Sequence, residues 1–249
     1  MKVLCDTHVH CYQFEQLSKL LDCALSNFAK QGLADARVLF FTDGERDKTW
    51  PQLLPLAEAG HELHGWTLQL AGDTGFISAK NASNELLLAP ARQVNSANRI
   101  EFLLLGCDEN IAQGLHEEDL ATQYGSRFAV ICPWGVGKWL GARGKLMNEL
   151  IQKHADKLIL GDNGGRPTLW SRVPQFTQSE RRVLNGSDPL PIDGELERIA
   201  AFGVSLEIQT DRLTLSGLLE ALKSGDHKNY GKGMSLRRFI ASQIAMRRA

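Results

Sequence analysis

The chain has 249 residues, 43% of them hydrophobic and 23% charged, which is enough apolar material for one large α/β domain or two small ones. A formal net charge of −1 sets up no overall field toward nucleic acid or an anionic membrane, and no apolar run is long enough for a transmembrane helix. The opening Met1-Lys2-Val3-Leu4-Cys5 lacks a signal-peptide pattern. Five cysteines without a CxxC pair or zinc-finger spacing read as reduced, mostly buried thiols, so a cytoplasmic location is expected.

Short runs of Val, Ile, Leu and Phe, each ending in Gly, Asp, Asn or Pro, read as parallel strands buried on both faces. In chain order, residues 2–8 form the first strand, and residues 14–31 a helix with Leu17, Leu20, Leu21, Ala24, Leu25 and Phe28 on one stripe. A strand at 37–42 follows. Residues 64–98 then break the rhythm, with a strand at 85–89 inside what reads as an antiparallel β insertion. Strands at 100–105, 128–132, 157–160, 182–185 and 204–208 alternate with weaker helical patterns at 110–124, 140–154, 194–202 and 214–223. The chain after Lys223 is basic (Lys228, Lys232, Arg237, Arg238, Arg247, Arg248) and reads as an amphipathic end helix with a charged face.

Repeated strand–helix units point to a parallel sheet, and no GxGxxG follows the first strand, so a closed or nearly closed barrel is expected over an open doubly wound sheet. With no internal repeat or linker, residues 1–249 read as a single domain. The expected fold class is α/β, a distorted TIM-like barrel of parallel strands with a β insertion near residues 64–98.

Asp6, His8 and His10 are two apart, a spacing that places all three on one face of a regular strand. At the C-terminal end of a barrel strand, two neutral imidazoles can bind a divalent cation while a carboxylate fixes a tautomer or completes the shell. The alternative is one packed histidine and one solvated. Asp43, Asp162 and Asp188 each follow an apolar run and could converge on the same mouth, or act as turn or helix-capping residues. Of these, Asp188 is the best ligand candidate, Asp43 next, and Asp162 reads as a turn. His61, His64, His116, His154 and His227 read as solvated or structural. Between Cys132 and Lys145 lie four glycines, Trp134 and Trp139, and the cations Lys138, Arg143 and Lys145. This is either an anion-binding loop for a substrate phosphate or carboxylate, or a structural loop; it lacks the Walker A pattern.

On these residues the sequence resembles the polymerase and histidinol phosphatase (PHP) family of metal-dependent hydrolases. Cys-Asp-Thr-His-Val-His looks like the family's first motif. Phe-Phe-Thr-Asp-Gly looks like its Thr-Asp-His motif with Gly44 for the histidine. The family's Glu and His would fall at Gln93 and Glu101, Ile-Cys-Pro-Trp-Gly places Cys132 where a histidine is expected, and Asn-Gly-Ser-Asp-Pro-Leu places Leu190 at the last one. The resemblance spans residues 1 to about 190, with only the first motif intact; an amidohydrolase-type barrel shares the opening His-x-His.

The resemblance implies one or two divalent ions (Zn, Mn or Fe) on His8, His10 and Asp188, with Asp43 or Glu101 completing the shell or serving as base. The expected function is a metal-dependent hydrolase, a phosphoesterase acting on a small anionic substrate held by Lys138, Arg143 and Lys145. The alternatives are a degraded barrel that binds a ligand or protein, and an amidohydrolase-type C–N hydrolase. Neither a membrane nor nucleic acid is expected as a partner, the latter because aromatics in the basic tail are confined to Tyr230 and Phe239.

Overall fold

Apolar runs become strands here because both faces of the sheet are covered, by the barrel interior on one side and by helices on the other. The computed structural model describes residues 1–45, 47–170, 173–178 and 182–247. Its strands are β1 (Lys2–Val9), β2 (Ala36–Asp43), β3 (Glu62–Leu63), β4 (Trp66–Leu70), β5 (Ile77–Asn81), β6 (Asn84–Asn95), β7 (Glu101–Leu105), β8 (Ala129–Pro133), β9 (Leu158–Asp162), β10 (Val183–Asn185), β11 (Gly203–Glu207) and β12 (Lys228–Tyr230). Every expected strand forms.

The barrel runs β10-β9-β8-β7-β6-β2-β1-β11-β12. β1, β2, β6, β8, β9 and β10 point one way, and β7 and β11 are reversed. β3, β4 and β5 are the antiparallel insertion, which docks on the first half of β6 while the second half of β6 pairs with β7. The fold is thus a nearly closed, distorted TIM-like barrel.

Closure at the seam is by side chains. Asn185 donates through Nδ2 to the carbonyl of Tyr230 (3.0 Å), and Asn229 Nδ2 donates to the carbonyl of Val183 (2.7 Å). The ring Nε2–H of His227 donates to that same carbonyl (2.7 Å), and Thr7 Oγ1 donates to the carbonyl of Asn185 (3.1 Å). These bonds supply what a missing ladder leaves unsatisfied, and they give His227 the structural role expected of it.

Helices cover the outside. α1 (Leu17–Ala29) and α2 (Trp50–Glu58) pack on β1, β2 and the insertion, with the stripe Leu17, Leu20, Leu21, Ala24 and Phe28 fully buried. α3 (Glu117–Asp119) runs into a π turn at Leu120–Tyr124. With α4 (Gly141–Lys153) and α5 (Pro174–Gln178) it flanks the β7–β8–β9 side. α6 (Leu215–Ser224) plugs the barrel at the N-terminal ends of its parallel strands, where Leu218, Leu219 and Leu222 join Val3, Leu105 and Ala129. α7 (Leu236–Met246) is the expected end helix; Arg248 lies outside the described residues.

The expected helix at 110–124 is helical only from Glu117, and that at 194–202 shrinks to a 3-10 turn at Glu195–Arg198. Gly114 and Gly194, both at positive φ, sit in turns just ahead of these short helical pieces. α2 is not apparent from the sequence because it contains Pro51 and Pro55. The first is accommodated in the opening turn, where its missing N–H costs nothing.

The largest departure lies in β1. Asp6 aligns with Leu39 but Val9 with Phe41, so three steps on β1 match two on β2, a β-bulge. The extra residue inverts the alternation. Leu4 and Val9, five apart, share the outer cluster, whereas Cys5 faces the interior. Asp6 therefore does not share a face with His8 and His10. Its buried carboxylate accepts from the backbone N–H of Ser187 (2.8 Å) and of His8 (3.2 Å) through Oδ1, and from that of Ala200 (2.7 Å) through Oδ2.

Asp6→Asn puts an amide group against one of those donors and strands a buried N–H. Urea unfolding is expected to show a loss of about 1–3 kcal/mol; an unchanged midpoint would contradict this role for Asp6.

Candidate metal centre

Beyond the bulge, Val9 turns outward, and the flanking His8 and His10 turn to the barrel mouth, opposite the α6 plug. Their Nε2 atoms converge to 3.0 Å. Asp188 reaches the same point from the segment after β10, its Oδ1 3.5 Å from His8 Nε2 and 3.8 Å from His10 Nε2. The approach is tight: a Cβ on Gly186 would lie 2.6 Å from that of His8, so only glycine lets this segment pass over β1. Asp188 adopts φ 43°, a left-handed conformation that Asp tolerates better than most residues, and its N–H donates to the carbonyl of His8 (2.8 Å).

Two polar neighbours orient the trio. Asp47 Oδ2 lies 2.6 Å from His10 Nδ1, and Asn163 Nδ2 donates to Asp188 Oδ2 (2.8 Å). Burial works against charge on all four titratable groups. For His8 it prevails and holds the imidazole below its usual pKa. For His10 the Asp47 hydrogen bond and charge outweigh burial and raise it, and His10 in turn lowers Asp47. Asp188 likewise overcomes burial and is held well below the carboxylate range by His8, His10 and Lys138. In the neutral imidazole the short contact with Asp47 puts the proton on Nδ1, which leaves Nε2 as the lone-pair donor an ion would need.

The donor set fits a divalent ion. The three ligand atoms lie within 4.8 Å of one another, the one such cluster among the described residues. Bonds of about 2.1 Å in a tetrahedron give ligand–ligand edges of roughly 3.4 Å, close to the separations here. A carboxylate behind a ligating histidine is the usual outer-shell device of such sites.

The remaining expected residues divide. Glu101 is buried at the mouth with its carboxylate 2.6 Å from Lys138 Nζ. Lys138 and Asp188 line one cavity of about 260 Å³, and His10 lines another of about 180 Å³; Leu190 borders both. Asp43 sits just behind, with both oxygens engaged by the N–H groups of Thr49 and Trp50 (2.8 Å each), capping α2. Arg143 donates to the carbonyl of Gly137 (3.0 Å), and Lys145 is exposed on α4; neither lines these cavities. Asp162 closes a turn, accepting from Gly164 N–H (3.0 Å) and Arg166 (2.6 Å). Cys132 faces the outer cluster, and Gln93 keeps a buried Oε1 without a hydrogen-bond partner. Asp47 and Asn163 carry no motif of their own. The only sequence trace of Asp47 is a carboxylate in the loop after β2, and Asn163 is visible only as part of the Asp-Asn-Gly-Gly turn.

No family model matches the chain, and no curated protein does. Solved structures do. The barrel is shared with PsfC from Pseudomonas syringae PB-5123. That likeness has a TM-score of 0.60 at 15% identity and covers 98% of this chain and 97% of PsfC. Endonuclease Q, in complex with a 27-mer duplex substrate carrying an abasic lesion at the active site, matches at TM-score 0.52 and 14% identity over 98% of this chain and 67% of its own. The lesion-specific endonuclease PfuEndoQ from Pyrococcus furiosus matches at 0.51 and 15% over 92% and 58%.

These likenesses show the fold, a distorted barrel, and correct one expectation. Near-neutral charge and few aromatics in the tail do not exclude nucleic acid, because endonucleases that act on DNA are built on this barrel. Charge balance averages over the whole surface, whereas a phosphate backbone meets only the mouth. Among the described residues no helix is long and apolar enough to cross a membrane.

Two outcomes are expected. Asp47→Asn should weaken divalent-metal affinity by about 10–100-fold in competition titrations; unchanged affinity would remove Asp47 from the centre. Asp43 is raised by burial to about 6, so the stability it contributes is complete below the unfolded carboxylate value and is lost as pH rises through about 6. The advantage of wild type over Asp43→Asn in urea should therefore narrow between pH 4.5 and 7.5, and a widening gap would refute the assignment.

Proposed function

We propose that the protein is a metal-dependent phosphoesterase of the PHP type that hydrolyses a small anionic phosphate ester at the mouth of its barrel. The observation that carries this reading is the convergence of His8 Nε2, His10 Nε2 and Asp188 Oδ1 beside the Lys138 ammonium. His8, His10 and Asp188 would hold the ion. The chemistry such an ion supplies is Lewis acidity, which acidifies water and draws electron density from a phosphoryl oxygen.

The protein's own groups do the rest. Asp47 holds the His10 ring in the Nδ1–H tautomer, and Asn163 fixes Asp188 so that Oδ1 faces the histidines. Lys138 draws the phosphate into the cavity it shares with Asp188, where Trp134 and Leu190 limit access by water. With Lys138 on Oε2, Glu101 can accept a proton from the attacking water through its other oxygen; Asp43 cannot, since both its oxygens are bound to α2.

A second reading is favoured by the endonuclease likeness: the ester is a phosphodiester of DNA. Both are tested together. Metal-free protein reconstituted with Zn, Mn or Fe is assayed on a panel of small phosphomonoesters and on duplex DNA with an abasic site. Turnover is expected on one class and should fall to background in the His8→Ala, His10→Ala double variant. Silence on both classes by protein that holds its metal would refute a phosphoesterase and leave a binding module.

A further inference from the structure

Of the three basic residues Lys138, Arg143 and Lys145, the last two lie on α4 and only Lys138, in the loop after β8, enters the mouth. Lys138 does so because its stem lies across Gly135, where a Cβ would come within 2.5 Å of Lys138 Cδ. Its ammonium ends 2.6 Å from Glu101 Oε2. Glu101 has the strand phase of Leu103 and Leu105, which face the interior, and is only 9% exposed. A buried carboxylate calls for a charged or hydrogen-bonding partner, and here Lys138 supplies it. Lys138 and Asp188 also border the same cavity, so the ammonium that binds Glu101 also faces the space beside the three candidate ligands.

We propose that Lys138 is the built-in second cation of the centre: it neutralises Glu101, confines the site to one divalent ion, and receives an oxygen of the substrate's phosphate. This rests on the metal reading of His8, His10 and Asp188. An ammonium has three donors, of which Glu101 takes one, leaving two for an anion entering the cavity. A further ion bound by Glu101 would have to displace the ammonium, against both its charge and its hydrogen bond.

The test counts ions. Full-length protein stripped of metal is titrated calorimetrically with Zn²⁺, and bound metal is measured independently after gel filtration. Wild type should take one ion per chain. Lys138→Met, which frees Glu101 at the same mouth, should take two, and adding Glu101→Gln should return the count to one. Circular dichroism and urea midpoints of each variant establish that it is folded. Two ions in wild type, or one in folded Lys138→Met, would overturn the proposal while leaving the His8–His10–Asp188 centre standing. No ion in wild type would overturn that centre and the proposal with it.

A second measurement reads the anion. In metal-loaded protein, Lys138→Met should weaken inorganic phosphate binding by about 10–100-fold, the loss expected for a charged hydrogen bond. Lys80→Met, on the remote β insertion, should leave it unchanged. Equal phosphate affinity in wild type and Lys138→Met would overturn the anion-binding role.

Discussion

A strand offers only every second side chain to a barrel's interior, and β1 breaks that alternation once, between Asp6 and Val9. Before the break, Cys5 faces inward and Leu4 outward; after it, Val9 faces outward and two histidines face in. The inversion leaves Asp6 beside the segments that carry Ser187 and Ala200, and its carboxylate binds the N–H of each. One short stretch of chain therefore both carries two of the candidate ligands and anchors the segment that delivers the third. Burial raises the Asp6 carboxyl to about 6, so this anchor is electrostatically costly, and three backbone donors offset the cost.

The same economy governs the charges at the mouth. Asp47 is paired with His10, Glu101 with Lys138, and Asp188 is held by Asn163 and faced by both imidazoles. Each buried carboxylate has a partner, as the low dielectric requires. The partners differ in mobility. Asp47 and His10 are both buried on short side chains, whereas Lys138 is 38% exposed on a long flexible stem. The rigid pair suits orientation, and the flexible one suits exchange with an incoming anion.

The barrel is legible in the sequence because its strands are continuous apolar runs, and the insertion because residues 64–98 change period. The site is legible in part. His8, His10 and Asp188 stand at strand ends and have residue types with few reasons to be buried unless they bind something. Asp47 and Asn163 are not legible, since they act across 37 and 25 residues of chain through loops whose course only the folded barrel defines. The bulge is invisible for a different reason: alternation of residue types cannot reveal one extra residue when both faces of the strand are buried. Asp43 shows how a strand-end carboxylate can serve a helix instead, and the two prolines of α2 conceal the helix it caps.

The seam between β10 and its neighbours has a consequence for how the protein is held shut. β10 has only three residues, and beyond its ladder to β9 it is tied across the gap mainly by the amides of Asn185 and Asn229 and the ring of His227. His8 and His10 lie on one side of that gap and Asp188 on the other, just past β10. An ion held by all three would clasp the two edges together, and its binding energy would count toward closure as RT ln(1 + [M]/Kd). The barrel would then breathe most easily when empty, along the seam that Asn185, Asn229 and His227 hold.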